Sequence, residues 1–373
     1  MNGFSFSRWL GILIKEFIQL RRDRLTFGMI VMLPIMQLLL FGFAINSDPR
    51  HMPTAVVMAD PGPFARAYVA AMKNSEYFRI IGTVDAREAN TLLDSGEVQF
   101  VVTFPPGFNR DLVRGTAPTL LVEADATDPM ATGGAISVLN QLGSEVFAPE
   151  LPGARATPAK SIDLRIQRRY NPEGITSYNV VPGLLGVILT MTMILMTGLA
   201  MTRERERGTF ENLLAMPVRP IEIMIGKLVP YILVAYIQVI VILVAARALF
   251  AVPILGSPWL LFGCTFAFIV ANLSVGLLFS TLAKNQMQAM QMTFFFFLPS
   301  MLLSGFMFPF RGMPGWAQSI GELLPLTHFL RIVRGILLKA NGAADIWPNL
   351  WPLLAFTLVV VALGAKRFRR TLD

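Results

Sequence analysis

Long apolar stretches constrain this chain more than any other feature of its sequence. Six blocks of mostly apolar residues lie at about Thr26–Ile45, Tyr178–Thr202, Ile221–Phe250, Trp259–Leu282, Gln286–Phe308 and Leu350–Ala365. A helix needs roughly 20 such residues to cross a hydrocarbon core of about 30 Å. Only 15% of the 373 residues are charged, whereas soluble proteins carry about 25%. We therefore predict a polytopic α-helical membrane protein with about six transmembrane helices.

The charged residues are distributed unevenly along the chain. Residues 47–176 hold 12 Lys/Arg and 15 Asp/Glu, and the remainder holds 20 Lys/Arg and 9 Asp/Glu. Basic residues in short flanks of membrane spans mark the cytoplasmic side. The basic clusters near Arg22, Arg205, Lys284 and Arg369 share one side if both termini are cytoplasmic. This explains the basic surplus better than nucleic-acid binding, and it predicts that the acidic segment 47–176 is extracytoplasmic.

The acidic segment alternates between strand-like and helix-like patterns. Apolar runs rich in β-branched residues predict strands at Thr54–Asp60, Val98–Phe104 and Thr119–Asp125. Helical spacing of apolar residues predicts helices at Phe64–Asn74, Ala86–Leu93, Phe108–Arg114 and Ala131–Phe147. Strands that alternate with helices are typical of an α/β domain.

Spans, loops and flanks together predict the order of segments along the chain. Apolar residues recur at helical spacing before the first span, so a cytoplasmic amphipathic helix at the membrane surface is expected there. The predicted segments are this interfacial helix at 1–25, a first span at 26–46, the extracytoplasmic α/β domain at 47–176, a second span at 177–202, a cytoplasmic coupling segment at 203–219, spans at 220–250, 258–283 and 286–308, short outer-surface helices at 309–345, a last span at 348–366 and a cytoplasmic basic tail at 367–373.

Residue types needed for catalysis or metal binding are scarce. The chain has one cysteine, Cys264, and two histidines, His51 and His328, with no metal-binding spacing. Its Gly226–Lys227 pair lacks the upstream glycine of a phosphate-binding loop. We therefore predict no catalytic residue, no metal site and no cofactor bound by this chain.

The segment Thr202–Leu228 follows the second span with alternating charges and then apolar residues. A basic loop that fixes topology would explain its arginines, but topology does not require Glu204, Glu206 and Glu211. The mixed pattern predicts a short cytoplasmic helix that docks against a partner.

This segment resembles the cytoplasmic coupling segment of ABC-2 type permeases, whose pattern is close to R-E-x-E-x-G-T-x-E-x-L-x-x-x-P. The matching residues are Arg203, Glu204, Glu206, Gly208, Thr209, Glu211, Leu213 and Pro217. Further similarity to this family covers Asn171–Leu189, Phe104–Gly115, Leu298–Pro309 and Leu324–Ala340. The chain is thereby identified as a member of the family, with the architecture of a type V exporter.

The resemblance implies a permease subunit of an exporter in the bacterial inner membrane. Separate cytoplasmic ABC ATPase subunits would use ATP and Mg²⁺, and a second copy or a sister permease would complete the pathway. A periplasmic adaptor and an outer-membrane channel are implied as further partners, and a drug-like or amphiphilic molecule as the cargo. In the coupling segment, charged contacts would come from Arg203, Glu204, Arg205, Glu206 and Glu211, and apolar contacts from Leu213, Leu214 and Met216, before the stop at Pro217.

Polar or aromatic residues within the spans are candidates for the translocation pathway. These candidates are Gln238, Asn272, Gln288, Gln291, Ser304 and Phe306. Interhelical hydrogen bonding is the alternative role for the polar ones, with an average contribution of about 0.6 kcal/mol each.

Two other functions are consistent with the composition. A membrane-anchored sensor or scaffold could bind a ligand or adaptor through the external domain without transport. A proton-driven carrier would need titratable residues within the membrane, and the spans offer only Arg247, near the predicted outer end of the third span. The carrier is therefore the weaker alternative.

Overall fold

The computed structural model describes residues 50–146, 162–206 and 220–370. The predicted interfacial helix and first span lie outside these residues. Most of the coupling segment also lies outside them, including Gly208, Thr209, Glu211, Leu213, Leu214, Met216 and Pro217.

Residues 50–169 contain a five-stranded sheet with helices packed on it. The strands are β1 (Met52–Met58), β2 (Phe78–Thr83), β3 (Phe100–Phe104), β4 (Thr119–Asp125) and β5 (Asp163–Arg169). Their order in the sheet is β2-β1-β3-β4-β5. The β3–β4 pair is antiparallel and the other pairs are parallel. Four helices complete this α/β domain: α1 (Pro63–Asn74), α2 (Ala86–Ser95), α3 (Phe108–Val113) and α4 (Pro129–Glu145).

The core of the α/β domain lies where the central strands meet the helices. β3 is buried at four of its five residues, which is typical of a strand covered on both faces. Phe104 packs edge-to-face against Tyr68 of α1 and Phe108 of α3, with ring centroids 6.0 and 5.1 Å apart. These rings fix the helices on the sheet.

The edge strands β2 and β5 have no counterpart among the predicted elements. β5 has the sequence DLRIQRR and is only partly buried, because an edge strand has a single neighbour and can expose charged side chains. Its sequence therefore lacks the apolar run that identifies a buried strand. β2 has only six residues, of which Phe78 is buried and the others alternate between exposed and half-buried.

The remaining residues form long helices and a short helical connection. The long helices are α5 (Thr176–Glu206), α6 (Pro220–Phe250), α7 (Pro258–Leu282), α8 (Gln286–Leu303) and α11 (Ala343–Arg370). A 3₁₀ turn (Phe310–Gly312), α9 (Gly315–Gly321) and α10 (Pro325–Lys339) connect α8 to α11. Among the described residues, four helices are long and apolar enough to cross a membrane: α5, α6, α7 and α11.

Helix α7 is the centre of the helical part and packs against α5, α10 and α11. Its side chains are largely buried from Leu261 to Leu277. Phe268 of α7 stacks on Phe329 of α10, with parallel rings 3.9 Å apart. By contrast, α6 and α11 bury few of the side chains described for them, and they expose large apolar ones such as Leu233 and Leu358. These two helices form the periphery that faces lipid or other protein.

Candidate functional site at the domain junction

The C-terminal end of α10 joins the helical part to the α/β domain. The ammonium group of Lys339 lies 2.6 Å from the Asp125 carboxylate, at the end of β4. Both side chains are less than one-tenth exposed, at 7% and 9%. Lys339 also donates to the Leu93 carbonyl at 3.2 Å. A buried ion pair with further hydrogen bonds holds its two elements in one arrangement.

Tyr170, which follows β5, is the second contact of this junction. Its ring lies 4.8 Å from the Lys339 ammonium, within range of a cation–π contact. Its hydroxyl donates a short hydrogen bond to Asp94. Burial, followed by the Asp94 carboxylate, raises the pKa of Tyr170. Asn341 adds a hydrogen bond to the Asp94 carbonyl at 3.2 Å, so one end of α2 is bound from two sides.

Arg334, one turn earlier in α10, connects three segments. Its guanidinium donates to Asn179 of α5 at 2.7 Å and to the Gly305 carbonyl at 3.1 Å. Asn179 in turn donates to the Thr127 carbonyl at 2.8 Å. Burial lowers the pKa of Arg334, and Asp128 and Asp125 oppose this shift. The start of α5 is therefore hydrogen-bonded both to α10 and to the α/β domain.

A cavity of about 540 Å³ lies beside these contacts. Its walls come from the α/β domain and from the segments around α10 and α11, and they include Arg311, Glu322, His328 and Arg331. Arg331 donates two hydrogen bonds to Glu322, at 2.6 and 3.1 Å. His328 Nε2 lies 2.8 Å from the Glu322 carbonyl. The cavity is thus polar at its wall and adjoins the apolar helices.

The described part of the predicted coupling segment is the last turn of α5. Glu206 accepts hydrogen bonds from the backbone and side-chain N–H groups of Gln286, the first residue of α8. These bonds lower the pKa of Glu206. Arg203 donates to the Gln286 side chain at 3.5 Å. Glu204 and the backbone of Arg205 belong to the same turn. The end of α5 and the start of α8 are therefore tied together.

The predicted pathway residues are spread over three helices and the residues that follow α8. Gln238 of α6 accepts a hydrogen bond from Thr192 of α5 at 3.0 Å. Asn272 of α7 is fully buried and donates to the Phe268 carbonyl at 2.8 Å, within its own helix. Its side-chain oxygen has no hydrogen-bond partner in the described part of the chain.

The other pathway candidates belong to α8 and to the residues that follow it. The Gln288 side chain accepts from the backbone N–H of Lys284 at 2.8 Å and so closes the turn between α7 and α8. The buried side-chain oxygen of Gln291 has no partner among the described residues. Ser304 donates to the Met301 carbonyl at the end of α8. Phe306 packs on Gly183 of α5, where an added Cβ would lie 2.5 Å from its ring.

The junction itself was not among the sites predicted from the sequence. A signal for it exists, because Arg331, Arg334 and Lys339 interrupt a helix whose other residues are mostly apolar and buried. Cations on a buried helix require anionic or polar partners. The partners, Asp125 and Asn179, are more than 150 residues away in the chain, so only the fold identifies them.

In the described ranges, four apolar helices that can cross a membrane are joined through a polar junction to an α/β domain, as expected of a membrane protein with an inserted domain. The comparison with protein families agrees. The family described as "ABC-2 family transporter protein" matches residues 24–366. The chain belongs to this family, which confirms the predicted resemblance.

Similar proteins extend over nearly the whole chain. The probable multidrug ABC transporter permease YbhR of Escherichia coli (strain K12) is 30% identical over 98% of this chain and 99% of its own length. The probable multidrug ABC transporter permease YbhS of the same strain is 26% identical over 99% and 98%. The inner membrane transport permease YhhJ is 31% identical over 78% of each chain. The predicted function, a membrane-spanning permease subunit of an ABC exporter, is confirmed, and the chain is an inner membrane protein.

Proposed function

We propose that this permease moves a drug-like or amphiphilic molecule out of the cytoplasm or the inner membrane. The multidrug names of the relatives YbhR and YbhS support this class of cargo. ATP and Mg²⁺ are used by separate cytoplasmic ABC ATPase subunits, since this chain has no phosphate-binding loop in its sequence. A second copy or a sister permease completes the pathway.

The observation that best supports this mechanism is the continuity of α5. This helix runs for 31 residues without a break, and at 1.5 Å per residue it spans roughly 46 Å. Asn179 at its beginning is bonded to the α/β domain, and Glu206 at its end is bonded to α8. A displacement of the coupling segment therefore reaches both α8 and the α/β domain through one rigid element.

The proposed orientation places both termini in the cytoplasm and the α/β domain in the periplasm. Arg203 and Lys284 lie at the end of the helices farther from the α/β domain, as the positive-inside rule requires of a cytoplasmic face. Three exposed tryptophans, Trp259, Trp347 and Trp351, lie at the starts of α7 and α11. Tryptophan is enriched at membrane–water interfaces. A periplasmic α/β domain is positioned to bind an adaptor that leads to an outer-membrane channel.

The coupling role is tested by Glu206→Ala, with Glu173→Ala as the matched control beyond the other end of α5. Glu206→Ala removes the tie to Gln286, so we expect cargo efflux and cargo-stimulated ATPase activity of the complex to fall several-fold. Glu173 is exposed and precedes α5, so its variant is expected to behave as wild type. Unchanged efflux and unchanged ATPase stimulation in Glu206→Ala would contradict this role.

The energy source is tested separately. Inactivating the ATP site of the partner ATPase is expected to abolish efflux while the proton gradient is intact. Efflux that persists under this condition and collapses with the proton gradient would overturn the ATP-driven mechanism.

A further inference from the structure

The cavity at the domain junction has an uncompensated positive region around Arg311. Arg331 and Arg79 both lie near enough to repel the Arg311 guanidinium, and Glu322 is the acid that attracts it. Glu322 is already engaged by the two hydrogen bonds from Arg331. Two arginines therefore repel Arg311, and the carboxylate that attracts it is already bonded to one of them.

Arg311 itself is poorly satisfied. In the described parts of the chain, its guanidinium makes one hydrogen bond to another segment, to the Gly96 carbonyl at 3.4 Å. Within the described residues, no ion pair joins it to a carboxylate. Burial lowers the pKa of Arg311, and repulsion by Arg331 and Arg79 adds to this effect. A desolvated cation without a counter-ion is unfavourable, so an incoming anion would stabilise this region.

The other acids of the cavity wall are engaged away from Arg311. Asp125 is paired with Lys339, and Asp345 accepts the backbone N–H of Gly342 at the start of α11. Asp128 acts on Arg334. Glu97 is exposed. None of these four acids contributes to the pKa shift of Arg311.

An apolar stripe leads away from the cavity along α11. Trp351 lines the cavity and is 55% exposed. Leu354 and Leu358 follow at helical spacing on the same face and are 42% and 71% exposed. A hydrocarbon chain that lies on this stripe would have its head beside the cavity.

We propose that the cavity binds the anionic headgroup, a phosphate or carboxylate, of an amphiphile whose tail lies along α11. Guanidinium groups bind both anions through charge-assisted, often bidentate, hydrogen bonds. In the orientation given under the proposed function, the cavity lies on the periplasmic side, so the amphiphile would belong to the outer leaflet of the inner membrane. This placement rests on the proposed function, whereas the binding itself does not depend on ATP or on the identity of the cargo.

The test uses the purified full chain in detergent, titrated with short-chain phosphatidylglycerol, with phosphatidylcholine of the same tails, or with inorganic phosphate. Binding is measured by native mass spectrometry and by the shift in Tm. We expect phosphatidylglycerol to bind more tightly than phosphatidylcholine, and Arg311→Gln to weaken this binding roughly tenfold to a hundredfold. Exposed Arg79→Gln should weaken it about fivefold. Arg114→Gln, which removes an exposed arginine of the same domain away from the cavity, serves as the control.

Each outcome decides the proposal. Equal phosphatidylglycerol affinity in wild type, Arg311→Gln and Arg79→Gln would overturn it. Inorganic phosphate that binds as tightly as phosphatidylglycerol would show a site for free anions and would overturn the amphiphile assignment. If Arg311→Gln does not fold, Arg79→Gln decides alone, because Arg79 is exposed on β2. Since neither ATPase nor cargo is present, a negative result would leave the proposed efflux function untouched.

Discussion

The Lys339–Asp125 ion pair shows how single residues connect the two parts of the molecule. Lys339 Nζ lies 2.6 Å from Asp125 Oδ2, and both side chains are almost completely shielded from solvent. In such a setting, the loss of one partner costs more than the pair contributes, because the remaining charge stays buried without compensation. The pair therefore acts as a requirement for correct docking of the α/β domain.

Replacing Lys339 by Met should strongly destabilise the junction. The Asp125 carboxylate keeps its hydrogen bonds from Thr127 but loses its counter-ion, which is expected to cost about 3–5 kcal/mol. Thermal unfolding of the purified protein would detect this loss as a lower Tm. The double variant Lys339→Met/Asp125→Leu should recover much of this loss, since neither member of the ion pair is then left charged without the other. Additive losses in the double variant would contradict the ion-pair explanation.

Secondary-structure elements approach each other closely where small residues allow it. At Gly276 of α7, an added Cβ would lie 2.6 Å from the backbone carbonyl oxygen of Ile194 in α5 and 3.0 Å from Thr197. Small residues at helix contacts in membranes let the backbones pack at short range. The contact between α5 and α7 therefore depends on the absence of a side chain at this position.

Gly276→Ala is expected to destabilise the helical core by about 1–3 kcal/mol, because a backbone atom must move to admit the methyl group. Gly263→Ala is the matched control on the same helix, since nothing lies within 4 Å of its added Cβ. That variant should be neutral or slightly stabilising, as alanine favours a helix over glycine. Thermal unfolding in detergent compares the two, and equal Tm values would refute the close-packing argument.

The whole molecule is polarised along α5, with the α/β domain at one end and the coupling segment at the other. In the proposed orientation, these two ends of α5 lie on opposite sides of the membrane. It makes the sidedness of exposed residues a direct test of the topology.

Cysteine labelling in a Cys264→Ala background tests this sidedness. The native Cys264 is the single cysteine and is buried, so its replacement leaves no competing thiol. Arg114→Cys in the α/β domain is expected to react with a membrane-impermeant maleimide in intact spheroplasts. Lys284→Cys, between α7 and α8, should react only after permeabilisation. The reverse pattern would invert the proposed orientation.

Helices and strands were predicted correctly where the local pattern of apolar residues is strong. Long apolar blocks predicted the four helices of the described residues that can cross a membrane, because length and composition are properties of contiguous residues. The span predicted at 286–308 corresponds to α8, which ends at Leu303 and is not one of these four. Strand β4 has the bounds expected from its apolar run. Strand β5 was missed because its exposed edge position permits a charged sequence.

At the level of the site, local patterns were less informative. The charged turn that contains Arg203 and Glu206 stands out in the sequence because acids accompany the arginines there. The coupling and pathway roles assigned to such residues stay predictions. The contacts of Arg334 and Lys339 join residues that are far apart in the chain, and no local pattern identifies such partners.

The sequence by itself determined that this protein spans a membrane, belongs to the ABC-2 family and serves as a permease. These properties follow from runs of contiguous apolar residues and from local motifs, which can be recognised without knowing any tertiary contact. Only the tertiary structure decided which charged residues are buried, which acids are already paired and where, among the described residues, Arg311 has no ion pair with a carboxylate. Burial and pairing are properties of distant segments brought together, so they follow from packing and not from local composition.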